Sequence, residues 1–332
     1  MPTTWNAESL AGIMRSFQSA CILLAATELD LFTILATKPL SAQDVARQSG
    51  SDPRGMRTLL DALDAMGLLV KAGELYQPAP GTVDVLTSEG KATQLAMAQH
   101  QANCLRHWAQ LARVVKTGKP AKREPSVRGE AADYASFIEA MNNISAPAAQ
   151  PLVDAVPKLK FKHLLDVGGA SGTWTIAFLR RYPEARATLF DLPNVIPQAQ
   201  ERVSRAGLAD RVRLVGGDFA VDALPLGADI AWVSAIVHQN SREQNRRLFK
   251  AVAQALPGGG QILIRDFIME ESRTQPAGGA MFAINMLVAT EAGGTFTVGE
   301  LREDLQTAGF VDAQVVRPDG TMNSLLLARK EE

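Results

Sequence analysis

Cysteine is almost missing from this chain. There are two in 332 residues, Cys21 and Cys104. Each lies in an apolar, helix-like stretch, and neither belongs to a Cys-x-x-Cys spacing. That pattern excludes a disulfide framework and a cysteine-built zinc site, predicts no metal centre, and fits a reducing cytoplasm. An excess of one charge is missing too: Lys+Arg is 34, Asp+Glu is 35, and the net charge is −1. No global positive field advertises a nucleic acid or an anionic membrane as partner. A long early apolar run is also lacking. The stretch "ACILLAATELDLF" is cut by Glu28 and Asp30, short of the ~20 apolar residues a bilayer span needs, and reads as a core helix. "MPTTWNAESLAG" has no basic region followed by an apolar run and a small-residue cleavage site. No repeat or low-complexity tract is evident.

What is present is ample core material. The hydrophobic content is 46%, and the length exceeds the ~100–200 residues of one typical domain, which predicts two. The first half reads as helical. "SLAGIMRSFQSACILLAATELDLFTILA" has apolar residues at helical spacing. "LSAQDVARQSG" is a short helix with a Ser41 cap and a Gly50 stop. "DPRGMRTLLDALDAMG" carries Pro53 in its first turn and stops at Gly67. "LLVKAGELYQPA" reads as a hairpin around Ala72-Gly73. Three helices and a hairpin suggest a winged helix, so DNA binding is weighed. From Ser41 to Tyr76 the bases are Arg47, Arg54, Arg57 and Lys71, against Asp44, Asp52, Asp61, Asp64 and Glu74. A net acidic face is poor for phosphates. Packing or dimerisation is the better reading. Two further helices, "LAMAQHQANCLRHWAQLARVVKTG" and "YASFIEAMNNISAPAAQPLVDAV", flank a charged loop.

From Phe161 the texture changes. "HLLDVGG", "ATLFDLP", "VRLVGGDF", "ADIAWVSAIV" and "GQILIRDFIM" are short apolar runs bounded by Gly, Asp or Pro, with helical stretches between them. The alternation predicts an α/β domain: a parallel sheet with helices on both faces. Ligands bind such sheets at the carboxyl ends of their strands. Those ends carry Asp166, Asp191, Asp218, His238 and Asp266.

The first turn, Gly168-Gly169-Ala170-Ser171-Gly172, lets backbone approach a ligand at a helix start. It fits the dinucleotide pattern poorly, because Thr173 stands where a small residue is needed, and no Walker lysine follows. Asp166 beside the turn disfavours a pyrophosphate and favours a cationic ligand such as a sulfonium amino acid. Asp191 ends the second strand, the place for a carboxylate that accepts ribose hydroxyls. Asp218 ends the third and could accept from an adenine amino group, with Phe219 against the base. One such acid is commonly a turn or helix cap. Three at successive strand ends point to adenosine binding.

"LLDVGGASG", "LFDLPNVI", "GGDF", "SAIVHQNSREQN", "ALPGGGQILIRDFIM" and "FTVGELREDLQTAGF", in this order, resemble the S-adenosylmethionine-dependent O-methyltransferases of the caffeate and acetylserotonin type, with bacterial relatives in pigment and antibiotic biosynthesis. The resemblance extends over most of the chain, including "LLAATELDLFTIL" and "FIEAMNNIS". It implies a Rossmann-like class I methyltransferase domain over 156–332, an N-terminal winged-helix domain for homodimerisation over 1–90, and a helical linker or substrate cap over 91–155. S-adenosylmethionine is the implied cofactor. Its implied contacts are Gly168, Asp191, Leu192, Asp218 and Phe219, with Gly169 and Gly172 completing the turn. Ser234 stands where many plant members have a lysine near the cofactor. His238 stands at the general base. Trp108, Met141 and Met286, with His100, are the implied substrate contacts; Met and Trp at helical spacing are equally core residues.

The cofactor brings its own leaving group, so the protein must align a nucleophile and remove its proton. A histidine near pKa 6.5 can take the proton of a phenol near 10 as the new bond forms, help typically worth ~10²–10⁴-fold. The bland alternative is a histidine capping the next helix. A catalytic histidine needs an acceptor on its other nitrogen. In the family this is an acid at the end of the next strand, usually glutamate; here it is Asp266. The acid that usually follows the histidine is Gln239. The second carboxylate of plant members falls in "GGTFT", which has none, and Glu291 nearby is not promoted to that role. So thin a set of acids would suit an acceptor easier to deprotonate, such as a thiol or enol. The expected reaction is methyl transfer to a hydroxyl of a small aromatic or conjugated acceptor. Two alternatives stay open: a relative performing C- or S-methylation, hydroxylation or cyclisation, and a winged-helix DNA-binding regulator.

Overall fold

The computed structural model describes residues 4–332; the first three residues of the N-terminal segment read above lie outside the described residues. The chain forms two compact units, one running up to Ala109 and adding Lys122–Asn143, the other made of Gln110–Ala121 and Ile144–Glu332. The expected middle segment, 91–155, is divided between them.

The first unit holds α1 (Ala7–Arg15), α2 (Phe17–Glu28), α3 (Leu31–Ala36), β1 (Leu40–Ser41), α4 (Ala42–Ser49), α5 (Pro53–Ala65), β2 (Leu69–Ala72), β3 (Leu75–Pro78), α6 (Thr82–Leu86) and α7 (Leu95–Trp108). The capping chemistry is local: Ser41 accepts from Asp44 N–H at α4, and Asp52 from Gly55 N–H at α5, where Pro53 opens the helix. Met56, Leu60 and Leu63 fall on one helical face and are buried among Leu31, Phe32, Leu35, Val45 and Tyr76. The hairpin β2–β3 forms, and β1 adds a third, antiparallel strand to it. On α5, Asp61 accepts from Lys71 Nζ and Tyr76 Oη, both at 2.6 Å, so an acid of the would-be recognition helix is engaged by the wing.

One reading needs correction here. The stretch expected to be a single core helix is three helices, broken at Ser16 and at Asp30, whose φ is +52°. In α1 no residue is buried, and in α2 only Leu24, Ala26 and Thr27 are. Ala7–Glu28 is in fact long and apolar enough, by length and composition, to cross a membrane. The apolar stretch extends back through Leu10, Ile13, Met14 and Phe17 rather than forward past the acids at 28 and 30.

The second unit begins with α8 (Leu111–Thr117) and takes the C-terminal part of α9 (Glu130–Ala155). Then come β4 (His163–Val167), α10 (Thr173–Arg181), β5 (Arg186–Asp191), α11 (Ile196–Arg205), β6 (Val212–Gly216), β7 (Ile230–Ser234), α12 (Arg242–Ala255), β8 (Gln261–Asp266), β9 (Ile268–Met269), α13 (Ala277–Ala289), β10 (Phe296–Thr297), α14 (Val298–Thr307), β11 (Phe310–Arg317) and β12 (Ser324–Lys330). The large sheet runs β11-β12-β8-β7-β4-β5-β6. Its five expected strands, β4 to β8, are parallel; β12 joins antiparallel to β8, and β11 to β12. The sheet is therefore mixed, and its antiparallel edge lies in a segment that the sequence reading left without strands.

Strand side chains alternate between two apolar layers. Leu165, Val167, Val233, Ile262 and Ile264 face a core closed by Leu248, Phe249 and Val252 of α12 and Leu301 and Leu305 of α14. Leu164, Ile230, Trp232 and Leu263 face the other, closed by Leu152 and Val153 of α9 and Trp174 and Phe178 of α10. Because β4 and β7 are covered on both faces, their sequences are continuous apolar runs. The same alternation aims Asp266 at the first face and Arg265 at the second.

Candidate active site

At the carboxyl edge of the sheet, β4 feeds the glycine turn. Gly168 has φ +66°, and a Cβ there would come within 2.4 Å of Ile236 Cδ1; at Gly169 it would meet Leu189 Cγ at 2.6 Å. A side chain at either glycine would collide with its neighbours, so the turn presents bare backbone at these two positions. Ala170 takes a left-handed φ of +46° and donates its N–H to Asp191 Oδ2 at 2.7 Å. Asp191 Oδ1 accepts from Leu192 N–H at 2.7 Å. Burial pushes the Asp191 carboxyl up, opposed by these two donors.

Asp166 is placed differently from its neighbours. It is 1% exposed and accepts from Thr175 Oγ1 at 2.5 Å, turned beneath the loop toward α10. Burial pushes its carboxyl up to about 7; the Thr175 hydroxyl opposes this and the Asp191 charge adds to it. Asp218 lies two residues past the end of β6 and accepts from Ala220 N–H at 2.8 Å. Phe219 packs against the first core layer, its ring edge 3.8 Å from where a Gly168 Cβ would stand. Ser234 ends β7, and its Oγ accepts from Arg265 Nη1 at 3.2 Å. The next residue, Ala235, is again left-handed, with φ +57°.

His238 lies in a 3₁₀ turn, Val237–Gln239, and is 6% exposed. Its Nδ1 is 2.9 Å from Asp266 Oδ1 and 3.0 Å from Oδ2, and its backbone N–H donates to Oδ2 at 3.2 Å. Asp266 is 1% exposed and also accepts from Phe267 N–H at 2.8 Å. A buried carboxylate bound to Nδ1 fixes that nitrogen as the N–H and leaves Nε2 as the acceptor. The next helix is capped by Ser241, which accepts from Gln244 N–H, so His238 does not serve as that cap. Gln239 donates to Ala235 O at 2.9 Å. Glu291 is exposed. In the "GGTFT" segment Gly294 N–H donates to the His238 carbonyl at 2.9 Å, and a Cβ at Gly293 would come within 2.5 Å of that oxygen. Where plant members carry an acid, this chain packs backbone on backbone.

The four expected substrate contacts fall in both units. Trp108, Met141 and His100 belong to the first, and Met286 to the second. Met286 is buried in α13. His100 lies 5.2 Å from the Phe137 ring, with Nε2 3.5 Å from Cys104 Sγ. Burial pushes the His100 imidazole down and the Cys104 thiol up to about 11, so neither is set up as a charged group.

Three neighbours of the site escaped sequence reasoning. Phe282 of α13 stands edge-on to the His238 ring at 4.9 Å. Asn245 of α12 is wholly buried and donates to Val237 O at 3.0 Å, bracing the turn that carries His238. It had a legible signal: a polar residue in the apolar stripe that continues at Leu248, Phe249 and Val252. Arg265 of β8 is the third, at 3% exposure.

A doubly wound sheet with a glycine turn and acids at its carboxyl edge, and a buried histidine braced by a carboxylate just past one strand, is the fold of a class I S-adenosylmethionine methyltransferase. The chain belongs to the O-methyltransferase family: the O-methyltransferase domain matches residues 110–311, and the O-methyltransferase dimerisation domain matches 12–88. It is 33% identical over 327 residues to the tetracenomycin polyketide synthesis 8-O-methyl transferase of Streptomyces glaucescens, covering 95% of this chain and 94% of that protein. It is 31% identical over 307 residues to the 3-hydroxy-5-methyl-1-naphthoate 3-O-methyltransferase of Streptomyces sahachiroi, covering 89% and 87%. Among solved structures it is similar to human N-acetylserotonin methyltransferase in complex with S-adenosylmethionine, at a TM-score of 0.79, 25% identity and full coverage of both chains. S-adenosylmethionine is its cofactor. The first unit thus carries a dimerisation domain.

Proposed function

We propose that this enzyme moves the methyl group of S-adenosylmethionine to a hydroxyl of a fused-ring aromatic acceptor, with His238 as general base and Asp266 as its positioning residue. The observation that carries the base assignment is the buried contact of His238 Nδ1 with Asp266, 2.9 Å, which turns Nε2 into the acceptor. When bound, the cofactor supplies an electrophilic methyl and its own leaving group. The protein holds the cofactor at Gly168, Gly169 and Gly172 through bare backbone, at Asp191, Leu192 and Ser234 along the strand ends, and at Asp218 and Phe219 on the adenine side. His238 Nε2 takes the acceptor's hydroxyl proton, and Asp266 stabilises the imidazolium that results. Trp108, Met141, Met286 and His100 are assigned to acceptor contact. The hydroxyl and the fused ring are taken from the polyketide and naphthoate O-methyltransferases that this chain resembles. With one carboxylate behind it, His238 suits a hydroxyl more acidic than a plain phenol.

The enzyme works as a homodimer. Support comes from the dimerisation domain over 12–88 and the uncovered apolar residues Leu10, Ile13, Met14 and Phe17. Two free cysteines and no disulfide suit a cytoplasmic setting.

The test is an acceptor screen with methyl-labelled cofactor, on wild type and His238→Ala. Methyl transfer should fall at least ~10²-fold in the variant, while S-adenosylhomocysteine affinity is retained. Equal rates in the two proteins would remove His238 from the mechanism. Failure of S-adenosylhomocysteine to bind would remove the cofactor sites.

A further inference from the structure

Arg265 is an arginine in the wrong company. A buried guanidinium is ordinarily paired with a carboxylate, because its charge is costly to desolvate. This one is 3% exposed and has no carboxylate within ion-pair distance among the described residues. Its partners are neutral: Nε donates to Asn323 Oδ1 at 2.9 Å and Nη1 to Ser234 Oγ at 3.2 Å, and the group lies over the Trp174 ring at 4.5 Å. Burial pushes the guanidinium down to about 10, with the Asp266 and Asp319 charges opposing that. Those acids are occupied elsewhere. Asp266 faces His238 on the opposite side of the sheet, and Asp319 is bound by Arg317 Nη1 at 2.6 Å.

A guanidinium has five N–H donors, and two are used. A second donor in the same layer is also unspent. Trp232 precedes Ser234 by two residues on the same strand face, its ring lies 5.3 Å from Trp174, and its Nε1 is buried with no acceptor among the described residues. Strand register places Arg265 directly beside Ser234 at the ligand-binding edge of the sheet, and Trp174 lies in the first turn of the helix that follows the glycine loop. The acid that β4 turns to this layer, Asp166, is bound by Thr175 Oγ1, and no carboxylate pairs with Arg265 among the described residues.

We propose that Arg265, with Ser234 beside it, is a carboxylate-binding subsite of this enzyme, for the carboxylate of the cofactor's amino-acid tail or one borne by the acceptor. The proposal rests on the methyltransferase reading and adds to it a residue for which the family resemblance assigns no role. A planar fork with unspent donors beside an indole takes a planar oxyanion in two hydrogen bonds.

The test is calorimetric titration of wild type, Arg265→Gln and Arg265→Lys. Two probes share adenosine and sulfur but differ in the tail: S-adenosylhomocysteine and 5′-methylthioadenosine. Two more share a naphthol ring: 3-hydroxy-2-naphthoate and 2-naphthol, titrated with S-adenosylhomocysteine present. If the cofactor tail is the ligand, Arg265→Gln weakens S-adenosylhomocysteine by about 10- to 100-fold and leaves methylthioadenosine unchanged, with partial recovery in Arg265→Lys. If the acceptor is the ligand, the same loss falls on the naphthoate alone. Unchanged affinity for all four probes in a folded Arg265→Gln protein overturns the subsite. Should that variant not fold, wild type decides: the carboxamide of S-adenosylhomocysteine and the methyl ester of the naphthoate, both binding as well as their parent acids, overturn it equally. A wild type that binds neither adenosyl compound overturns the cofactor assignment itself, an outcome distinct from any loss confined to Arg265.

Discussion

Two carboxylates a strand apart show how position decides chemistry at the residue scale. Asp266 and Asp166 are equally buried, at 1% exposure. Asp266 faces an imidazole and two N–H donors, whereas Asp166 has a hydroxyl and, nearby, another acid. The first can hold His238 in one tautomer. Asp266→Asn keeps the shape but offers an amide, which frees the ring to choose the wrong tautomer; turnover should fall roughly 10²-fold with S-adenosylhomocysteine affinity unchanged by titration. Asp266→Glu should recover part of the loss, and rates equal to wild type in the asparagine variant would leave Asp266 a purely structural role. Asp166 predicts something else. Its carboxyl is pushed from an ordinary 3.8 up to about 7, so between those values the folded chain holds a proton that the unfolded chain has released. That proton favours the folded state at low pH, and the advantage is lost as pH rises from 3.8 through about 7. Thermal melts from pH 4.5 to 8 should show stability declining through this window, and Asp166→Asn should flatten the decline. An unaltered profile in the variant would mean that Asp166 does not titrate there.

Elements differ in how much of their role the sequence discloses. The parallel strands β4, β5, β7 and β8 were legible because burial forces continuous apolar runs, and the edge strand β6 because its Gly-Gly-Asp ending follows the same rhythm; the strand ends and the segments after them then carried Asp191, Asp218, His238 and Asp266. The antiparallel β11 and β12 were missed although Gly309 and the Asp319-Gly320 turn bound them: only Phe310 of β11 is buried, so no apolar run marks that strand, and β12 was read without its partner. The pairing of His238 with Asp266 could be read because each ends a strand and the strands are neighbours. Phe282 could not, since α13 is apolar all round and no face of it is singled out by sequence. Asn245 lies between these cases. As the polar member of α12's buried stripe, it donates to Val237 O at 3.0 Å and accepts from Asn240 Nδ2 at 3.1 Å, so α12 acts as a brace for the turn that carries His238. Asn245→Ala removes the brace and leaves Val237 O with only the 3.3 Å bond from Asn240 N–H, at about 0.5–1.5 kcal/mol. Urea midpoints should register that loss, and kcat should fall further than stability alone explains, while KM for the cofactor stays put. Loss of stability with kcat intact would confine Asn245 to packing.

At the scale of the whole molecule, α1 and the start of α2 carry an uncovered apolar stripe. Leu10, Ile13, Met14 and Phe17 are spaced as one helical stripe, and they are 46%, 55%, 68% and 53% exposed. An uncovered stripe of this kind marks an interaction surface rather than a solvent face. Two occupants are physically reasonable, because the surrounding stretch, Ala7–Glu28, is also long and apolar enough to enter a bilayer. The dimerisation domain begins at residue 12, inside the stripe, and favours a second copy. Burying each such side chain contributes about 1.5–3 kcal/mol, so replacing three of them with serine should weaken self-association by several kcal/mol. Sedimentation velocity at micromolar concentration should show a dimer for wild type and a shift toward monomer for Leu10→Ser/Ile13→Ser/Phe17→Ser, without loss of the β2–β3 wing, whose contacts lie elsewhere. A variant that stays dimeric yet no longer partitions with lipid vesicles would assign the stripe to a membrane surface instead. The two results are mutually exclusive, because the same four side chains cannot be covered by a partner helix and by acyl chains at once.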